Sequence, residues 1–592
     1  MMRSLLFLAV LLVSLCSAQD GKDPLRNFCR IHSHQTTVVD RTLYINGGLV
    51  NWEPLSADAV NYTNTWFRAG DLDELNVGFP QQHVLTNNDS VPAVQGGILW
   101  PDASNKIIYL YGGEYNNGKP EEFRLWFYDI VYNTWNVSNA STTDVSRASW
   151  GAGVAVQDRA LGYYYGGWLS ETSVPDYQGN TPLKDMLVYD MLGNSFRNQS
   201  GPDDIPRAEG VMLYLPAGDG GILIYLGGLR GSDTNETMTS QSMTEILIYD
   251  IANNHWYTQK ASGDRIPEAR RRFCAGATWA EDRSSYNIYL YGGASVGEGA
   301  GFGDAWILSM PSFRWIKYYP EDDNNDPYPH HSLTCNVVDN AQMIVMGGSF
   351  PNHTMDCDVP TIYGQHGLDL GKANSEGAKW ARFDPTLTTY KVPSEITTVV
   401  GGAATGGATV TSPEEGWAHQ DLQVQFKRAY TPAARAATRA VPSPTGNSTA
   451  SEESAKHRKA VIGGAVGGSI GGVLLLSAIG AFFVIRRNKK KDASKEGYDA
   501  AAAMPPKDNM DPAGPNGMSS PPPQYGWAPQ TPISPYQTGF PEHYGENRTE
   551  PGPGQYHNAV ELADTQMPAN NEPVEKYGSE VPAPQEMPVN PR

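Results

Sequence analysis

Six apolar or aromatic runs in this chain each end in a pair of glycines. They are LYINGG at Gly47-Gly48, YLYGG at Gly112-Gly113, YYYGG at Gly166-Gly167, IYLGG at Gly227-Gly228, YLYGG at Gly292-Gly293 and IVMGG at Gly347-Gly348, at intervals of 65, 54, 61, 65 and 55 residues. A repeat of roughly fifty residues or more that carries four strand signals has the size of one propeller blade. Glycine suits a position where the backbone takes a positive φ or where two backbones crowd, because a β-carbon is disfavoured there.

Between the glycine pairs lies a second signature. Tyr128 precedes Trp135 by seven positions in FYDIVYNTW, Tyr249 precedes Trp256 likewise in IYDIANNHW, and Tyr189 precedes Phe196 in VYDMLGNSF. Leu308 and Trp315 keep the spacing with a substituted first position. Strand, Asp/Asn-bearing turn and strand again is the grammar of an antiparallel hairpin. With the glycine pairs, this pattern resembles the Kelch family. The resemblance implies an all-β fold, a Kelch-type β-propeller over residues 27–430, in which the double glycine ends the second strand of a blade and the spaced aromatics belong to the third and fourth. We expect six full blades. Gly401-Gly402 follows the sixth pair by 54 residues behind the apolar ITTVV, and is expected to form a closing strand or a partial seventh blade. The whole pattern, with TNTWF at Thr63 to Phe67 and GGAT at Gly406 to Thr409, resembles the exported, membrane-anchored Kelch proteins of filamentous fungi.

The segments outside the repeats set the expected topology. Arg3, the apolar run Leu5 to Leu15 and the small residues Cys16-Ser17-Ala18 read as a signal peptide over residues 1–18. Residues 460–485 carry no charge and are long enough to span a bilayer as a helix. Arg486, Arg487, Lys489, Lys490 and Lys491 follow as a cytoplasmic stop-transfer cluster, giving a single-pass type I protein at the cell surface. Glycines four apart in the span (Gly463, Gly467 and Gly471; Gly464, Gly468 and Gly472) would let two such helices approach closely as a homodimer. Residues 431–459 read as an extracellular stalk, and residues 486–592, rich in proline, as a disordered cytoplasmic tail. In that tail Pro522-Pro523-Gln524-Tyr525 matches the PPxY ligand of WW-domain proteins. A formal net charge of −20 argues against a nucleic-acid partner.

Export makes cysteines and sequons informative. Once Cys16 leaves with the signal, Cys29, Cys274, Cys335 and Cys357 remain, and four cysteines allow three connectivities. Closeness in sequence pairs Cys335 with Cys357, and elimination leaves Cys29 with Cys274. Eight N-x-S/T sequons precede the span: Asn61, Asn88, Asn136, Asn139, Asn198, Asn235, Asn352 and Asn447.

In a propeller the first strand of each blade lines the central channel, so the residues that begin those strands gather at one mouth. By repeat phase these include His32, Arg147, Arg207, Arg272 and His331, a ring of cations and imidazoles suited to a carboxylate or an acidic sugar. Tyr115, Trp52 and Trp168 follow glycine pairs closely and are candidates for stacking on sugars. One Kelch-like lineage, the galactose oxidase family, uses copper held by two Tyr and two His, with a cysteine-crosslinked tyrosine. Tyr328-Pro329-His330-His331 is the nearest cluster, but its ligand motifs do not carry across. No catalytic residue, metal or cofactor is therefore expected. The expected function is binding of a cell-wall glycan or surface protein. A tethered sugar-directed oxidase or a purely structural surface protein stands as the alternative.

Overall fold

A computed structural model of the protein describes residues 22–55, 60–232, 235–321 and 328–442. They build six antiparallel blade sheets in chain order, each with its first strand innermost, and four smaller two- or three-stranded sheets beside them. The inner strands are Gln35–Val39, Gln95–Asp102, Ala152–Val156, Val211–Leu215, Cys274–Trp279 and Thr334–Val338. Blades 1 to 5 have four strands each, in sequential order. Blade 6 has three named strands, and residues 379–381 pair along the outer edge of its last strand, Gln365–Asp369.

The expected hairpins form in the expected register. Tyr128 lies directly opposite Trp135, Tyr189 opposite Phe196, Tyr249 opposite Trp256 and Leu308 opposite Trp315. The turn chemistry explains why. Asp190 Oδ1 accepts from the amides of Leu192 and Gly193, Asn194 takes φ 50°, and Tyr189 donates its hydroxyl to Asn194 at 2.7 Å. Asp250, Asn254 and Tyr249 repeat the arrangement in blade 4. An Asx turn followed by an Asn tolerant of the left-handed region sets the turn from its own residues.

Six apolar clusters hold the ring, one between each pair of neighbouring blades. Between blades 2 and 3, for example, Trp100 stacks on Tyr111 at 5.0 Å and on Tyr189 at 6.1 Å, all buried. Full burial of one such aromatic contributes about 1.5–3 kcal/mol.

The glycine pairs join blade to blade. The second glycine of each pair donates its amide to a carbonyl just before the next inner strand: Gly48 to Val94, Gly113 to Ala148, Gly167 to Arg207, Gly228 to Arg270, Gly293 to His330 and Gly348 to Ile31, at 2.7–2.9 Å. The last of these closes blade 6 onto blade 1. At Gly166, with φ 67°, a β-carbon would stand 2.1 Å from the Arg207 carbonyl oxygen, so the joint admits no side chain.

Several expectations are corrected. Gly401-Gly402 begins no seventh blade. It ends the helix Ser394–Val400, which buries Ile396 and Val400 against blades 5 and 6. The disulfides are Cys29–Cys357 and Cys274–Cys335, not the pairs drawn from sequence proximity. Ring closure brings the N-terminal strand Phe28–His32 beside the blade 6 loop, where the Asp358 amide donates to the Cys29 carbonyl at 2.8 Å. Cys274 is the first residue of the blade 5 inner strand and Cys335 the second of its blade 6 neighbour. The packed chain also runs past residue 430 into the expected stalk. Residues 384–442 cross the ring backwards from blade 6 to blade 2, through Gln342–Asp384, Tyr390–Asn287, Gln425–Asp250, Tyr430–Asp158, Arg435–Asp102 and Arg439–Asp129. These anchors are polar, while Tyr390, Val392, Ile396, Val400, Leu422 and Phe426 of the same segment join the apolar clusters.

Among the described residues no helix is long and apolar enough to cross a membrane. Residues 1–18, 443–459, 460–485 and 486–592, with Pro522-Pro523-Gln524-Tyr525 and Asn447, lie outside the described residues. Asn61, Asn88, Asn136, Asn139, Asn198 and Asn352 are all exposed.

Candidate functional site

The mouth of the channel is built from backbone. Two residues before the inner strand of blades 1, 3, 4, 5 and 6 stand Ser33, Trp150, Glu209, Arg272 and Ser332, and Gly96 takes the same place in blade 2. All six have φ between 54° and 65°. Their peptide groups form a closed circle in which each amide donates to the carbonyl of the preceding blade: Ser33 to Ser332, Gly96 to Ser33, Trp150 to Gly96, Glu209 to Trp150, Arg272 to Glu209 and Ser332 to Arg272, at 2.7–3.1 Å. Five non-glycine residues in the left-handed region cost strain, and the circle of hydrogen bonds holds them there.

The side chains on this collar face a cavity of about 280 Å³. The Arg272 guanidinium lies 3.7 Å from the Trp150 ring centroid and donates from Nε to Glu209 at 2.6 Å. Arg271 reaches the other Glu209 oxygen at 2.9 Å, and the Trp150 indole donates to Glu114 at 2.8 Å. His32 and His331 hydrogen-bond to the hydroxyls of Ser33 and Ser332, at 3.1 and 2.9 Å. Burial, with Arg30 and Arg272 adding to it, pushes His32 down to about 4; burial and then Arg272 push His331 to about 3. Both are neutral hydrogen-bonding groups near neutral pH rather than cations.

The structure therefore gathers His32, Arg272 and His331, and disperses the other two expected members. Relative to the collar, Arg272 is on it, His32 and His331 are one residue before, Arg207 two and Arg147 three. That phase difference turns them different ways. Arg207 is fully buried against Asp203 at 2.6 Å and Gln241 at 3.2 Å. Arg147 lies over the rings of Tyr115 and Phe123, at 5.1 and 5.9 Å, in a groove between blades 2 and 3. Trp52 is core, packed edge-on to Trp66 at 5.2 Å, and Trp168 pairs with Ser149 at a blade edge. His330 is buried against Phe350 at 4.3 Å. Sequence reasoning missed Trp150 and Glu209, and the available signal was their place two residues before the inner strand. Among the described residues no group of three or more His, Cys, Asp or Glu is placed to hold a metal ion, and Cys29, Cys274, Cys335 and Cys357 are all in disulfides.

Six radial four-stranded or near four-stranded sheets, joined by glycine pairs around an axial channel, define a Kelch-type β-propeller. Residues 33–283 match the KLHDC2/KLHL20/DRC7 Kelch-repeats domain. The chain is 32% identical over 451 residues to a Kelch repeat-containing protein of Arthroderma benhamiae, a match that spans 65% of this chain and 65% of that relative. The solved structure of YjhT is similar over 56% of this chain and 94% of its own, at 13% identity and a TM-score of 0.39. Over these residues the chain is similar to Kelch-repeat proteins.

Proposed function

We propose that the protein is a cell-surface binding protein without catalytic chemistry, whose propeller takes a cell-wall glycan or surface protein at the mouth of its channel. In this reading residues 460–485 anchor it as a single-pass type I protein, and the tail carries a WW-domain ligand at Tyr525. The observation that carries the reading is the difference between the two ends of the ring. Among the described residues one end is crossed by residues 384–442, whereas none crosses the other end over the collar and its cavity, where Arg272, Trp150, His32 and His331 stand. The engagement of Cys29, Cys274, Cys335 and Cys357 in disulfides leaves, among the described residues, no thiol for the crosslink a galactose oxidase type of site needs, which favours binding over oxidation.

The test is a glycan array and a cell-wall pull-down with the full-length protein, wild type and Arg272→Gln. Capture by wild type should fall about ten-fold in the variant, the worth of one charge-assisted contact. Equal capture by both would remove the mouth from the binding site.

A further inference from the structure

Three arginines just ahead of inner strands, Arg147, Arg207 and Arg270, are buried, and two of them are neutralised. Arg207 is paired with Asp203 at 2.6 Å and Arg270 with Asp304 at 2.5 Å. Arg147 is equally buried, at 3% exposure, yet among the described residues no carboxylate pairs with it. Its Nη1 donates to the Glu121 carbonyl at 3.1 Å, and its planar group is held by the rings of Tyr115 and Phe123. Burial lowers its affinity for its proton, with Tyr115 and then Glu121 acting the other way. A guanidinium taken out of water without an anion is costly unless a ligand supplies one.

Arg147 does not face a sealed interior. It lines an open groove of about 500 Å³, within the range of ordinary small-ligand sites. Arg124 is on the same wall, exposed and without an ion pair among the described residues. The hydroxyls of Thr142, Thr143 and Ser146 stand along the groove, and half-buried Phe123 offers part of a ring face. The acidic side chain on the lining is Glu122, which leaves the two arginines in excess.

We infer that this groove between blades 2 and 3 is a second binding site, for the carboxylate of a uronic-acid sugar. The arginines take the carboxylate, as planar guanidinium groups do best. The row of hydroxyls meets the ring hydroxyls, and Phe123 meets the apolar face of the ring. Those hydroxyls match a sugar, and because Val145, Val174 and Pro175 also line the groove, an acidic peptide is the competing ligand that the test includes. The site does not depend on the mouth, which is read out by Arg272, so either assignment can fail alone.

The experiment titrates the full-length protein in detergent with a galacturonate trisaccharide, its methyl ester, the neutral galactose trisaccharide and a short Asp/Glu peptide, by calorimetry. The acid sugar should bind, and the ester and neutral sugars should bind about ten-fold more weakly or not at all. Because Arg147→Gln could fail to fold, the deciding variant is the exposed Arg124→Ser, which should lose about ten-fold in affinity for the acid sugar. Arg124→Lys should recover part of it. Absent binding, equal affinity for acid and ester, unchanged affinity in Arg124→Ser, or tighter binding of the peptide than of the sugar would each overturn the assignment.

Discussion

A glycine at a blade joint does two separate things, and the two can be measured apart. Gly166 has φ 67°, and a β-carbon there would meet the Arg207 carbonyl at 2.1 Å. Gly179, in the same blade, has φ 79° but nothing within 4 Å of a β-carbon. Gly179→Ala should therefore cost only the left-handed backbone, about 1 kcal/mol. Gly166→Ala adds displacement of the neighbouring blade and should cost about 3 kcal/mol or more. Thermal unfolding of the two variants beside wild type checks this. Equal shifts would mean that conformation alone, and not blade contact, selects glycine at the joint. The pair was legible in the sequence because the constraint is local and recurs six times.

At the scale of an element, pattern and tertiary demand sometimes disagree. The run ITTVV is rich in β-branched residues, yet Ser394–Val400 is helical. Pro393 precedes it, Glu395 is acidic in its first turn, and Ile396 and Val400, one turn apart, meet a core already present. Packing outweighs β-propensity, which is context-dependent. The joint between blades 6 and 1 shows another collective property. His34 sits just before the first inner strand and donates to or accepts from Thr334 at 3.0 Å, while His32, His330 and His331 crowd beside it. Arg30, Arg68, Arg271 and Arg272 face this group, with Asp358 and His366 below it.

Burial holds all four imidazoles at about 3 to 4, under their unfolded value of 6.5. The unfolded chain thus binds more protons, so their contribution is complete above pH 6.5 and is lost as pH falls towards 4. Each imidazole can remove up to about 1.4 kcal/mol per pH unit in that window. His366 runs the other way, because Asp358 outweighs burial and raises it. Denaturant midpoints should fall from pH 7 to pH 5, and His34→Gln should flatten the slope. A pH-independent midpoint would show that these rings do not carry the linkage.

Over the whole molecule, closure of the ring is what the two disulfides secure. Cys29–Cys357 spans 328 residues and ties the N-terminal strand to blade 6, whereas Cys274–Cys335 spans 61 and ties neighbours. In the chain-entropy account the longer loop restrains the unfolded state more, by about 1.5 kcal/mol. The double variant Cys29→Ser/Cys357→Ser should therefore lose more stability than Cys274→Ser/Cys335→Ser, each within about 2–5 kcal/mol. Denaturant unfolding of both variants is the check. A larger loss from the shorter loop would place the stabilisation in local packing instead of closure.

The amino-acid sequence alone determined the repeat, the all-β class, the hairpins and their register, because those depend on residues within one blade. Tyr128 with Trp135 and the Asp/Asn turns need only a few neighbours to specify them. The tertiary structure alone decided which cysteines meet, where the chain after Gln365–Asp369 runs, and which residues face the channel. The last depends on one left-handed residue per blade, whose distance from the preceding glycine pair varies with loop length. An offset of one to three residues there separates Arg272 at the mouth from Arg207 among carboxylates and Arg147 in its groove. Side-chain direction reverses over so short a stretch of extended chain, and only the closed circle of backbone hydrogen bonds sets the phase.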